Sequence, residues 1–226
     1  TTFTLDYREI APAAAHRDMY LDDNGDVIEN MSLRTRAASG VPGTVDGLLK
    51  VWADPGSGNI SRRELLAPAI ALAEKGFELS HYEASRFNSY KELFSRNEAA
   101  AEVFIRHDKR PWKDGDKFVQ KDLAKTLKRI AREGRDGFYT GKTADLIVAE
   151  MSRGIGLITY GDLLNYRSKY REPVMGSFND FDLLSMGLPS SGGTILVEML
   201  NMLENFPLAE LGWNSSNYIH LLTEVE

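Results

Sequence analysis

Helix punctuation is the strongest local signal in this chain, and it limits what the chain can fold into. Ser61-Arg62-Arg63-Glu64 is a capping box. The serine hydroxyl accepts from the Glu64 amide while the carboxylate reaches back, satisfying two donors that a helix start otherwise leaves unpaired. Leu65, Leu66, Ala69, Ile70 and Ala73 then recur at helical spacing, and Gly76 takes the left-handed C′ conformation without strain. Ser80 to Glu83 repeats the box ahead of a second helix running towards Phe94. Leu123, Leu127 and Ile130 stripe a third, with Lys128, Arg129 and Arg132 near its negative dipole end and Gly134 as its stop. Thr143 to Arg153 is a fourth, closed by Gly154, and Thr159 caps a short fifth.

Strand signals are fewer. Thr1, Phe3, Leu5 and Tyr7 alternate with other residues as a strand does, from the first position. Asp18 to Asp23 and Asp26 to Met31 flank Asn24-Gly25, a pair suited to a two-residue turn with positive φ at both positions. Pro173 to Phe178 and Phe181 to Met186 flank Asn179-Asp180 in the same way. Leu188 to Gly193 then forms a compact loop launching a helix over Thr194 to Asn205, whose buried stripe is Ile195, Leu196, Met199, Leu200 and Leu203. Ser215 to Glu226 reads as a helix with no stop signal. The expectation is a helix-rich α+β fold with few strands, a single domain over residues 1–226, and a chain that is a piece of a longer protein.

Several function classes drop out. A net charge of −6 argues against nucleic acid, because phosphate binding needs a cationic face. With no cysteine there is no disulfide, thiolate metal site or cysteine nucleophile. The longest stretch low in charge, Leu65 to Ala73, carries Pro68 and is far short of the roughly 20 apolar residues of a membrane span. His16, His81, His107 and His220 are widely separated, so no metal site is expected, and Asp22, Asp23, Asn24 and Asp26 do not fit an EF-hand loop. Gly40-Val41-Pro42-Gly43-Thr44-Val45-Asp46-Gly47 is neither GxGxxG nor a P-loop, and reads as a tight turn feeding a helix from about Val45 to Ala53. Ser190 is no nucleophile elbow, because Gly187 lies three positions before it rather than two.

Three runs are unusual in combination: Leu5-Asp6-Tyr7-Arg8-Glu9-Ile10-Ala11-Pro12 with Arg17-Asp18-Met19, then Gly40-Val41-Pro42-Gly43-Thr44-Val45, then Pro189-Ser190-Ser191-Gly192-Gly193. Gly137-Phe138-Tyr139-Thr140-Gly141, Gly156-Leu157-Ile158-Thr159 with Asp162-Leu163, and Leu200-Asn201-Met202-Leu203-Glu204 fill the gaps. In this order and spacing they resemble the large subunit of γ-glutamyltranspeptidase, also called glutathione hydrolase, over nearly the whole chain. The chain departs from that pattern at Gly187-Leu188-Pro189, where a run of prolines is usual.

The resemblance implies an N-terminal-nucleophile hydrolase with an αββα sandwich in the complete enzyme. It implies a precursor that cleaves itself, after which the new N-terminal Thr of the small subunit attacks the γ-glutamyl amide of glutathione or a related compound. The nucleophile, its α-amine base and the oxyanion donors then belong to that small-subunit partner, and no catalytic residue is expected in this chain. Thr1 falls where the family has Thr residues leading into the Leu5 to Arg8 strand, upstream of the processing site, so it is not expected to be the nucleophile. Arg8 matches the large-subunit arginine that grips the substrate α-carboxylate, a task suited to a planar guanidinium with two parallel donors. The ordinary reading of Arg8 is an ion pair with Asp6 on the same strand face, or a solvent-facing side chain. Ser190, Ser191, Gly192 and Gly193 are a second candidate, a loop against the substrate or the small subunit, since amides at a helix start favour negative charge; structural packing is the ordinary reading of this run. No metal or cofactor is implied, and a bacterial member would be periplasmic or secreted. A related acylase, a capsule-depolymerising transpeptidase and a non-catalytic helical interaction module are the alternatives.

Overall fold

Both serine capping boxes form, and each opens a helix. Ser61 Oγ accepts from the Glu64 amide while Glu64 Oε2 accepts from the Ser61 amide at 2.9 Å, and Ser80 with Glu83 does the same. The computed structural model describes residues 2–54, 56 and 58–226. In chain order the elements begin with β1 (Thr4–Asp6), α1 (Met31–Arg34), α2 (Thr44–Ala53), α3 (Arg62–Lys75) and β2 (Phe77–Glu78). Then follow α4 (His81–Ser89), α5 (Lys91–Ser95), α6 (Glu98–Phe104), β3 (Lys117–Phe118), α7 (Lys121–Glu133), α8 (Asp136–Tyr139), α9 (Gly141–Met151) and α10 (Tyr160–Asn165). The chain closes with β4 (Lys169–Arg171), β5 (Val174–Phe178), β6 (Phe181–Ser185), α11 (Gly192–Leu203), α12 (Leu208–Leu211) and α13 (Ser216–Val225). The fold is helix-rich α+β, and each strand pairs in an antiparallel two-stranded ladder.

Contacts divide the chain into two compact units, one of residues 12–39 and 51–164, the other of residues up to Ala11, Gly40–Lys50 and Asn165–Glu226. In the first unit α3 packs on α7, and Ala73 on α3 and Ala124, Ile130 and Ala131 on α7 are buried. Beside them Leu79, Ala84 and Phe118 are buried against Phe77, Phe87, Phe104 and Trp112, with Phe87 and Phe118 ring centres 5.0 Å apart. The Asn88 amide clasps this aromatic group by accepting from the Trp112 N–H and donating to its carbonyl, both at 2.9 Å. Gly137 must be a glycine, because a Cβ there would lie 2.4 Å from the Arg129 carbonyl oxygen. That approach seats Thr143, whose hydroxyl donates to the Gly137 carbonyl and accepts from Arg129 Nε.

In the second unit β1 pairs with β4, placing Leu5 opposite Tyr170 and Asp6 opposite Lys169. The β5–β6 hairpin turns at Asn179 (φ 49°), whose N–H donates to the Glu204 carboxylate, and α11 lies on that hairpin.

Several elements differ from the sequence expectation, among them the fourth helix, which runs Gly141–Met151. At Asn24-Gly25 only Gly25 has positive φ, and a single bridge between Leu21 and Val27 replaces the two strands. The Asp22 carboxylate takes over by accepting from the Asn24 and Asp26 amides, and those amides, Asp26 first, hold its carboxyl below the usual range. The helix towards Phe94 breaks at Tyr90 into α4 and α5. α11 starts two residues early, at Gly192, and its Ile195 and Leu196 are exposed rather than buried. The first strand starts at Thr4, and Thr1 lies outside the described residues.

Candidate functional site

Arg8 lies two residues past the end of β1, and the residues that hold its backbone belong to the second unit. Asp6, the neighbour with which a plain surface reading would pair it, is engaged elsewhere: Asp6 Oδ2 accepts from Arg171 Nε and from a terminal Arg171 nitrogen, both at 2.8 Å. The Asp6 side chain is only 11% exposed against 41% for Arg171, so this pair is partly shielded from water. Asp6 Oδ1 accepts the Arg8 backbone N–H at 3.1 Å. Arg8 itself is exposed, and among the described residues its guanidinium pairs with no carboxylate. The structure therefore sets aside the Asp6 pairing and leaves five guanidinium donors facing solvent.

The backbone beneath that side chain is held from the other side. Tyr166, 1% exposed, donates its phenol hydrogen to the Arg8 carbonyl at 2.7 Å. Two residues later Ile10 exchanges backbone hydrogen bonds with Val41, at 2.8 and 3.3 Å. The Gly40 to Gly47 run supplies the room for this. A Cβ on Gly40 would meet Glu9 Cβ at 2.9 Å, one on Gly43 would lie 2.0 Å from the Tyr166 phenol oxygen and 2.2 Å from the Tyr7 carbonyl, and one on Gly47 would lie 2.4 Å from Tyr7 Cβ. These three glycines are thus the seat of the Tyr7–Ile10 segment as well as the lead into α2.

A buried polar link fixes the next layer. Asp46 on α2 accepts from the Ser168 N–H at 2.8 Å and the Ser168 hydroxyl at 2.6 Å, and Lys50 donates to the Ser168 carbonyl while lying 4.5 Å from the Tyr170 ring centre. Both acid and serine are buried. Burial first, then the charges of Asp6, Asp46 and Glu9, push the Tyr166 phenol up to about 12, so it stays a protonated donor at neutral pH. Sequence reasoning missed Tyr166, Asp46 and Ser168. The available signal was the spacing of Gly43 and Gly47 at i and i+4, small residues on one helix face where another backbone can approach.

Ser190, Ser191, Gly192 and Gly193 have a different setting, the junction of β6 and α11. Gly193 is buried, and a Cβ there would lie 2.1 Å from the Met186 carbonyl oxygen, which brings the helix start directly onto the strand end. Gly192 is exposed and has only Ser190 Oγ, at 3.6 Å, near a Cβ position. Ser191 occupies the N-cap position without a side-chain cap bond, and the peptide before Pro189 is cis. Among the described residues no hydrogen bond joins this loop to Arg8.

Among the described residues no group of three or more His, Cys, Asp and Glu side chains is arranged to hold a metal ion, and no helix is long and apolar enough to cross a membrane. What the Arg8 arrangement offers chemically is a cation with two parallel donors on a rigid backbone, suited to a carboxylate.

A family model described as Gamma-glutamyltranspeptidase matches residues 1–226. The chain is similar to the glutathione hydrolase proenzyme of Pseudomonas aeruginosa, 45% identical over 99% of this chain. It is similar also to the Acylase ACY 1 proenzyme of Pseudomonas sp. (strain SE83), 34% identical over 97% of this chain. It spans 39% of the length of the first and 40% of the second. Among solved structures, the γ-glutamyltranspeptidase of Helicobacter pylori matches with a TM-score of 0.94 at 40% identity, over 99% of this chain and 63% of that one.

Proposed function

The chain belongs to the γ-glutamyltranspeptidase family, and from that membership we propose that the protein carrying it transfers γ-glutamyl groups from glutathione and related compounds to water or to amines. In this reading a Thr hydroxyl of the small subunit adds to the γ-carbonyl, the C–N bond breaks, and the leaving amine takes up the proton passed on by the Thr α-amine. Water or an acceptor amine then attacks the γ-glutamyl ester and frees the Thr.

Arg8 binds the substrate α-carboxylate, and by doing so places the γ-carbonyl against that hydroxyl. The observation that carries this is the diversion of Asp6 to Arg171, which leaves the Arg8 guanidinium exposed on a clamped backbone. Without the small subunit the chain binds but does not turn over. Exposed apolar residues in the same unit, among them Trp213 at 84%, Met175 and Phe181, support a partner segment of the proenzyme covering them. Ser190 to Gly193, at the start of α11, belong to that contact or to the substrate wall. A periplasmic or secreted location is part of the same reading.

The similarity to an acylase proenzyme favours one second reading, an acylase acting on another side-chain amide. Assaying the full-length protein on glutathione, poly-γ-glutamate and glutaryl amides separates the two. Turnover of glutathione with none of glutaryl amides supports the first, and the reverse pattern replaces it.

A further inference from the structure

We propose that Tyr166 and Asp6 are positioning residues that aim the Arg8 guanidinium by fixing the peptide planes on either side of its Cα. The proposal rests on the reading that Arg8 holds the substrate α-carboxylate. A long arginine side chain on a mobile backbone must lose both backbone and rotamer freedom when it grips a ligand. Here the backbone part is already fixed. The Arg8 N–H is held by Asp6 Oδ1 at 3.1 Å, the Arg8 carbonyl accepts from the Tyr166 hydroxyl at 2.7 Å, and the Cα–Cβ direction follows from the two planes.

Each holder is itself held. Asp6 is tied to Arg171 on β4, and Tyr166 is buried beside Gly43, where a Cβ would displace its oxygen. Tyr166 and β4 lie within one short stretch of chain, Tyr166 to Arg171, which Asp46 grips through Ser168. A ligand therefore meets a cation whose base is already ordered, which favours affinity without any added contact. Both holders act through the Arg8 backbone, so their effect is expected on KM for carboxylate-bearing donors more than on kcat.

The test is a double-mutant cycle in the full-length, self-cleaved protein, with Tyr166→Phe, Arg8→Gln and the pair assayed on a γ-glutamyl donor. Tyr166→Phe keeps the buried ring and removes only the hydroxyl. The expected result is a rise in KM of about two- to tenfold with kcat little changed, the fold-change of one net hydrogen bond, and no further rise when it is added to Arg8→Gln. An unchanged KM in Tyr166→Phe, or an effect that persists in full in the Arg8→Gln background, overturns the positioning role while leaving Arg8 in place. An unchanged KM in Arg8→Gln alone instead removes the carboxylate reading, and this inference with it. If Tyr166→Phe does not accumulate, Asp6→Ala combined with Arg171→Ala releases the amide side of the clamp without leaving a loose guanidinium, and the same outcomes apply.

Discussion

Asp6 and Arg171 are paired across the β1–β4 ladder, with two nitrogens of one guanidinium each 2.8 Å from a single carboxylate oxygen. Two arginines compete for one acid, and the competition is settled by register: Arg171 sits opposite Thr4, two residues along β4 from Asp6's own partner Lys169, and so reaches Asp6 diagonally on one strand face. Arg8 lies beyond the end of β1 and receives from Asp6 only a backbone contact. In the proposed role, a carboxylate that meets Arg8 breaks no pre-existing ion pair.

Arg8→Lys follows as the first variant. Lysine keeps the charge but replaces two parallel donors by a point charge, so bidentate geometry is lost. In the full-length protein KM for γ-glutamyl donors is expected to rise by about tenfold, the equivalent of one charge-assisted hydrogen bond, while self-cleavage proceeds. Steady-state kinetics beside a gel of subunit maturation measures both. A KM equal to that of the unaltered protein removes Arg8 from the site.

Gly192 and Gly193 are neighbours with opposite tolerances. A methyl at Gly193 would press on the Met186 carbonyl, a backbone atom that cannot swing away, so Gly193→Ala is expected to destabilise by about 1–3 kcal/mol as overpacking does. Gly192→Ala opens onto space near Ser190 Oγ and is expected to stay within about 0.5 kcal/mol of the unaltered protein. Urea unfolding of the two variants side by side decides it, and equal midpoints would show that the β6–α11 approach carries no load.

Much of the helical scaffold was legible because its signals are local. The Ser61 and Ser80 boxes, the Gly76 and Gly134 stops, and the Thr159–Asp162 reciprocal cap at α10 involve residues three or four apart, which a sequence displays side by side. What escaped was whatever depends on residues far apart in the chain. Tyr166 lies 158 positions from Arg8, and Ser168 lies 122 from Asp46. The two-residue strands β2 and β3 are too short to show a period at all, and exist because Phe77 and Phe118 meet in the aromatic cluster. The exposure of Ile195 and Leu196 escaped for a different reason: an apolar stripe shows that a helix has a face to bury, and does not say whether this chain or another covers it.

Alkaline stability is the last consequence of the clamp. The Tyr166 phenol is raised to about 12 in the fold, by burial first and then by the charges of Asp6, Asp46 and Glu9, against its ordinary value of 10.0. A raised acid favours its neutral form in the folded state, so the stabilisation it reports is fully present below pH 10 and is lost as pH rises from there towards 12. Ionisation would also delete the donor to the Arg8 carbonyl and place a negative charge in a buried site near the charges of Asp6, Asp46 and Glu9. Urea midpoints of the full-length protein are therefore expected to fall across this window, and Tyr166→Phe, which has nothing to ionise, is expected to follow a flatter curve there while being the less stable of the two at neutral pH. Parallel curves for the two proteins would mean that the phenol ionises in the fold as it does in water, and that its bond to Arg8 is not held in solution.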